Sequence, residues 1–490
     1  MKNIIKFLFL TIILTSCEED LNINTDPNTP IGVDKSFVLT AAQASIATTM
    51  GGNLTNLGGF LAQYHTQAPS ASQYLDIDTY NMNADFANRM WTELYAGALN
   101  DLKYVKQVSE DEGDTGSYLI ATLLEAYTFQ VLTDLFGSVP YSEALLSQEN
   151  ISPAPDAGEE IYPALISSID NALTNYDNSP VDSSVGSQDV IYNANMSDWI
   201  KFANTLKLKM YLRMAYTTLA NPTAVNALLA ENNFLESDAT FSVYSENIEE
   251  DKNNPFYDVQ IAHLGDVNNI ASSSLLQFYT DNSDPRIDAV YRKNTATPSV
   301  HRAIDQGDRG AYTGSILATA FSRPNIKTNT PVYLMTVSES NFLQAEALIR
   351  YAGGAGAGAK YNAGVLNSFL TYGLTAAEAN ALTNTGGAYE YVPSATVETA
   401  IRQVMVQKWA SLAYINNMEA FFELTRTKYP EIVAFGTQNY SIGNLIISKS
   451  SVLAGGQTPK TLLYPDDEVD RNINLTQKGS LTEKIWWDQK

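Results

Sequence analysis

Cysteine is almost absent from this chain of 490 residues: one stands at position 17 and no other follows. A single thiol closes no intramolecular disulfide, so stability has to come from burial, for which the length is ample. Basic residues are scarce too, 30 against 54 acidic ones, for a formal net charge of −24. That balance argues against nucleic acid, which demands a basic footprint. Histidine occurs only at His65, His263 and His301, too far apart for a zinc-binding helix motif. No G-x-S-x-G elbow is present to expose a serine nucleophile, and no cofactor is implied. A glycosidase would need two carboxylates, about 5–5.5 Å apart if retaining and about 6.5–9.5 Å apart if inverting. No motif singles out such a pair. Long apolar runs are missing as well, so the mature chain is expected to have no transmembrane helix.

The one short apolar run lies at the start. Lys2 and Lys6 precede "FLFLTIIL" at 7–14, which is too short to span a bilayer and fits a secretory signal. Leu14-Thr15-Ser16-Cys17 then resembles a bacterial lipobox. Cleavage before Cys17 would free its thiol and amine for acylation, and two or more acyl chains hold a protein firmly on a membrane. Residues 1–16 read as the signal peptide. Their loss removes two basic residues and no acid, leaving 28 against 54 and a net charge of −26. Residues 17–35, with "EEDLNINTDPNTP", read as a lipidated arm. Its acidic start resembles the export signal that sends lipoproteins of Bacteroidetes-type bacteria to the outer face.

Residues 36–490 read as a mostly α, helical single domain. Phe86, Met90, Leu94, Ala98, Leu102 and Val105 recur at helical spacing within 84–108, and Leu119, Leu123, Tyr127, Val131 and Leu135 within 117–136. Gly137 offers a stop. Further helices are expected at 159–176, at 197–220 with Ser197 or Asp198 as N-cap, and in a shorter stretch from Asn221-Pro222. Others follow at 337–352, 361–372, 375–383 and 395–425. Short loops between long helices imply antiparallel hairpins, 84–108 with 117–136 and 159–176 with 197–220. Between 240 and 335 the pattern becomes polar and loop-rich, with strand-like runs only in "TFSVYS" and "SILATAF". Loops of this kind are where ligand sites tend to lie.

Four blocks, in order, resemble the SusD/RagB family of nutrient-uptake outer-membrane lipoproteins. They are "LTDLFGSVPYSEAL" from Leu132, "PVYLMTVSESNFLQAEALIR" from Pro331 with "AKYNAGVLNSFLTYG" after it, "QKWASLAYINNMEAFFELTRTKYPEI" from Gln407, and "LLYPDDEVDRNINL" from Leu462 with "KIWWD" from Lys484. The cysteine and its Asn- and Pro-rich arm make a fifth match. Read physically, the blocks build the fold. Glu346 shares a helix face with Phe342, Ala345 and Ile349, and a carboxylate facing a core needs a partner, for which Arg426 is the candidate. The resemblance implies tetratricopeptide-like helix hairpins plus the loop-rich insertion. It also implies a lipid-anchored subunit, facing the extracellular side, that captures an oligosaccharide and hands it to a SusC-like TonB-dependent transporter. In the RagB branch the ligand is a peptide; a surface glycoside hydrolase is the remaining alternative.

The ligand residues are a separate reading. Tyr64, Tyr74 and Tyr80 stand beside Gln67, Gln73 and Asn81 in the polar stretch 58–82. Aromatic faces with a few side-chain amides suit an uncharged sugar, whose C–H faces stack and whose hydroxyls bond. Trp91 and Trp409 fall within helices and read as packing or transporter-facing residues. Two oxygen-rich loops could hold Ca²⁺, one with Asp76, Asp78, Asn81, Asn83 and Asp85, the other with Asp466, Asp467, Glu468 and Asp470. Neither has EF-hand spacing, and polar turns are the alternative reading.

Overall fold

The computed structural model describes residues 32–248, 252–312, 316–394, 396–433 and 443–490. The leader, Cys17 and most of the arm lie outside them. Helix α1 (Lys35–Thr49) begins where the arm ends, capped by Asp34, whose side chain accepts from the Ser36 amide. After α2 (Thr55–Leu61) come α3 (Asn100–Glu112), α4 (Thr115–Phe136), α5 (Gly158–Asn175), α6 (Met196–Arg213) and α7 (Pro222–Glu231). The second half holds α8 (Val337–Tyr351), α9 (Ala357–Thr371), α10 (Val397–Ser411) and α11 (Asn417–Thr427). The expected hairpins form: α3 packs on α4, and α5 meets both α4 and α6. In the second half α8 packs on α9 and α10. By length and composition α4 could cross a membrane, yet nearly all its side chains are buried by neighbouring helices.

Three boundaries depart from the periodicity. The stretch 84–108 is a relay: a 3₁₀ turn at Ala84–Ala87, a short α-helix at Asn88–Thr92, a π-helical turn at Glu93–Leu99, then α3. At Gly97 that wide turn presses on α1, where a Cβ would come 2.8 Å from Ser45 Oγ. The N-cap of α6 is Asn195, one residue before the helix, accepting from the Ser197 amide at 3.1 Å. The stretch 395–425 is two helices, because Tyr414 takes a left-handed φ of 57° and Asn416 starts α11 by accepting from the Glu419 amide.

Short paired strands lie in the insertion and join it to the rest: β1 (His65–Gln67) lies antiparallel to β3 (Asn269–Ala271), β2 (Ala239–Phe241) to β6 (Val332–Met335), and β4 (Tyr291–Arg292) to β5 (Arg323–Pro324). "TFSVYS" thus supplies part of β2. "SILATAF" supplies no strand among its described residues; Ala318–Ala320 form a 3₁₀ turn, and Ala318 and Phe321 plug a small apolar cluster instead.

A buried charge knot joins the helices. Arg213 of α6 reaches Asp134 of α4 at 3.1 Å, and Glu419 and Glu423 of α11 at 2.7 and 2.6 Å. Arg426 clasps Glu346 of α8 through two bonds of 2.8 and 2.7 Å, the partnership expected from sequence. Arg350 holds Glu346 too, at 2.7 Å, while Lys209 pairs with Glu339 at 2.9 Å and Lys408 with Glu419 at 3.2 Å. Asp134 also accepts from Tyr162 and from the Trp487 indole, which fastens the C-terminal tail to the knot. Burial alone would raise the Glu423 carboxyl, but Arg426, Lys408 and Arg213 outweigh it and hold it well below the usual range.

Candidate ligand-binding site

The fold divides the six candidate side chains of 58–82 into two groups. Tyr64, Gln67 and Tyr80 are buried; Gln73, Tyr74 and Asn81 reach the surface. The reason is local. Gly58 and Gly59 let α2 lie against the start of α11 and against His65: a Cβ at Gly58 would fall 2.5 Å from the Asn417 main chain, and one at Gly59 2.1 Å from the His65 ring. The chain leaving α2 is therefore drawn into the core, and Tyr64 goes with it. Its hydroxyl donates to the Trp409 carbonyl at 2.6 Å, and its own carbonyl accepts from Tyr291 at 2.5 Å. Gln67 holds the next loop, its Oε1 accepting from the Tyr74 amide at 2.8 Å. With no exposed surface, Tyr64 and Gln67 touch no ligand in this conformation; they set the shape of what does.

Tyr74 is the aromatic of this segment that solvent reaches. Its ring lies 5.9 Å from Phe60, and its hydroxyl accepts from Gln260 Nε2 at 2.5 Å. Burial raises the phenol while the Gln260 bond lowers it, with a net rise, so it stays a neutral donor. Gln260 belongs to a π-helical turn at Tyr257–His263, where Tyr257 is half-buried and Val259 is exposed. The result is a ring pinned at both ends, beside the exposed amide of Gln73 and the insertion. Gln260 was not legible from sequence, because the only signal near it was the polar, loop-rich character of 240–335.

Asp78, offered as a calcium ligand, is buried and works as a knot. Oδ1 accepts from Thr66 Oγ1 at 2.8 Å and from Gln306 Nε2 at 3.0 Å, and the Asp78 carbonyl accepts from Ser448. Burial pushes its carboxyl up to about 6. The two oxygen-rich loops do meet, with Asp85 hydrogen-bonded to Asp466, a contact that raises Asp85 and lowers Asp466. Among the described residues no group of three or more His, Cys, Asp or Glu side chains is arranged for a metal.

His65 is a core residue, with Nε2 3.0 Å from the Asn56 carbonyl and Nδ1 3.0 Å from the Tyr414 hydroxyl; burial drives it down to about 3, so it is neutral. His263 leans on Asp258 and His301 on Asp288. Trp91 packs on Tyr95 and Phe136, and Trp409 donates to the Ala62 carbonyl, so both tryptophans serve packing.

A family model for SusD-like proteins, described as starch-binding associating with outer membrane, matches residues 27–448. Among solved structures, a chitin-binding protein is 24% identical with a TM-score of 0.74, covering 93% of this chain and 100% of its own. A SusD homologue from Bacteroides uniformis is 23% identical with a TM-score of 0.73, covering 93% and 100%. A chitin-binding SusD homologue from Flavobacterium johnsoniae is 19% identical with a TM-score of 0.74, covering 92% and 98%. No curated protein matches the chain.

Proposed function

The chain belongs to the SusD-like family, and on that premise we propose that it is an outer-membrane lipoprotein, anchored through Cys17 and facing outward, that captures an oligosaccharide and delivers it to a SusC-like TonB-dependent transporter. What carries this reading is the match over 27–448 to a family described as starch-binding and outer-membrane associated. The surface at Tyr74 supplies the chemistry: a ring for the apolar face of a sugar, with Gln73 and Asn81 as amides for hydroxyls. Tyr64 and Gln67 support that surface from behind.

Capture without chemistry is the expected behaviour. The carboxylates of the charge knot are engaged by arginine and lysine, which leaves them as structural anions rather than an acid and a nucleophile. Among the described residues, the exposed apolar side chains include Val243, Ile248, Val259, Val267, Val300 and Leu317 in the insertion, with others such as Phe37, Ile151 and Ile473 elsewhere.

The test uses the full-length protein extracted in mild detergent. Maltooligosaccharides and chitooligosaccharides are chosen first, by the family's description and the named relatives, and an oligopeptide pool runs beside them. Calorimetry should show binding to a neutral glycan, mass spectrometry should find the glycan unaltered, and a large β-barrel should co-purify. Binding confined to peptides, or new cleavage products, overturns the reading. Separately, Cys17→Ala should abolish incorporation of labelled fatty acid; absence of label in the unmutated protein refutes the anchor.

A further inference from the structure

Tyr80 faces a cavity of about 330 Å³ between the end of α2, the α11 helix and residues 458–460. The cavity shares Ile432, Thr458 and Lys460 with a neighbouring groove of about 540 Å³, at whose edge Lys484 stands. Two of its wall residues, Gln63 and Tyr80, hold left-handed φ values of 61° and 59°, a conformation that side chains larger than glycine seldom keep and that tends to persist where a site requires it.

The charges around this space do not balance. Lys428 is already engaged, its ammonium bonded to Asp488 and, at 2.7 Å, to the Thr425 carbonyl. Glu431, on the wall, has Arg402 3.8 Å away. The Lys460 amide donates to the Leu481 carbonyl at 2.7 Å, but its ammonium has neither a hydrogen-bond nor an ion-pair partner among the described residues. Burial, and then the like charge of Lys428, drive its ammonium down to about 8; Asp488 opposes them and Lys484 adds to them. The Lys460 side chain is half-buried on the cavity wall with no anion bonded to its ammonium, and an anion entering beside it gains a charge-assisted hydrogen bond. In a chain of net charge −24 this is an unusual place to leave a cation uncompensated.

We propose that the cavity is a subsite for a carboxylate-bearing sugar unit, a uronate residue of an acidic oligosaccharide, with Lys460 pairing the carboxylate. The walls fit such a ring: Phe421 and Tyr80 offer apolar faces for its C–H side, and Thr425 and Thr458 offer hydroxyls. A volume of this size exceeds what a bare inorganic anion fills. The subsite is separate from the Tyr74 surface, and only the choice of a sugar rests on the glycan-capture reading.

The experiment follows acylation of Lys460 in the full-length detergent-solubilised protein, near its own pKa of about 8, by peptide mass mapping with exposed Lys484 as internal control. Galacturonate should slow Lys460 acylation about fivefold or more, while glucose and acetate at equal concentration leave it unchanged. Lys460→Gln should weaken galacturonate binding about tenfold, the loss of one charge-assisted bond, whereas Lys460→Arg stays within about threefold of the parent. Equal protection by acetate reduces the cavity to a simple anion site and overturns the proposal. Protection by glucose, or by an acidic peptide but not galacturonate, overturns it as well. Neutral-glycan binding is measured in parallel and should be the same in K460Q as in the parent. If the parent binds no neutral glycan, the capture reading fails while the galacturonate result still stands or falls by itself.

Discussion

Tyr74 and Asp78 are four residues apart and pull in different directions, one toward ligand and one toward the core. Tyr74→Ala removes the ring that Phe60 and Gln260 hold in place, and should cost about 1–2 kcal/mol of glycan binding, roughly fivefold to thirtyfold in affinity. Tyr74→Phe keeps the ring and should bind within about twofold; calorimetry on the pair separates stacking from hydroxyl bonding, and equal loss in both counts against the platform. Asp78 makes a prediction in pH. Its folded pKa of about 6 exceeds the ordinary 3.8, so between those values the folded protein holds a proton that the unfolded chain has released, and stability falls as pH rises through the window. The swing is at most about 3 kcal/mol. Asp78→Asn should flatten it: relative to wild type, the variant gains stability between about pH 4 and pH 7 by urea denaturation. A constant difference across that range would mean that Asp78 ionises freely.

At the scale of elements, the C-terminal end of α10 explains what Tyr64 does in the core. The last carbonyls of a helix lack partners inside it. Here Trp409 is served by Tyr64, Ala410 by Tyr279 at 2.5 Å, and Ser411 and Ala413 by Tyr372 at 3.2 and 2.8 Å. Tyr64→Phe should therefore cost about 1–2 kcal/mol of stability, the loss of one buried donor, and leave glycan binding unchanged; a loss of affinity with unchanged stability would reverse that assignment. The break that creates this helix end was hidden in the sequence. Leu412 and Ile415 continue the apolar period across it, and the true signals are the polar pair Asn416-Asn417, which ties off the turn by accepting from the Glu419 and Tyr414 amides. Regular helices such as α4 and α8 were legible to within two residues because their periodicity, caps and stops agree. Tyr64, Tyr74 and Tyr80 look alike in sequence, yet Tyr64 and Tyr80 are buried and Tyr74 is not; for Tyr64 the close approach at Gly58 and Gly59, a tertiary fact, decides it.

Over the whole molecule, the four sequence blocks that resemble the family converge on the charge knot. Asp134 comes from the first, Glu339, Glu346 and Arg350 from the second, Lys408, Glu419, Glu423 and Arg426 from the third, and Trp487 from the fourth. This is why the fold was legible from those blocks while the ligand surface was not: the blocks carry the groups that bind helix to helix, and the surface rests on loop residues outside them. With Lys209 and Arg213 added, the knot holds five acids and five bases. Neutrality is what makes its burial tolerable, since an ion stripped of its partner in a dry interior costs far more than a matched pair. Arg426→Met leaves one acid in excess and should cost about 3–5 kcal/mol. Glu346→Leu added to it restores the balance and should recover at least half of that loss, although Glu423 then depends on Arg213 and Lys408 alone. The depressed carboxyls of Glu346, Glu419 and Glu423 add a pH signature. Their contribution is complete above the ordinary value of 4.5 and is lost as pH falls through the lower folded values, so the parent should weaken steeply in acid and the double variant less so. Urea titrations of parent, single and double variants at neutral pH and near pH 4 measure both effects. Equal destabilisation by the single and double variants would show that the pair, rather than the balance of charge, is what holds these helices together.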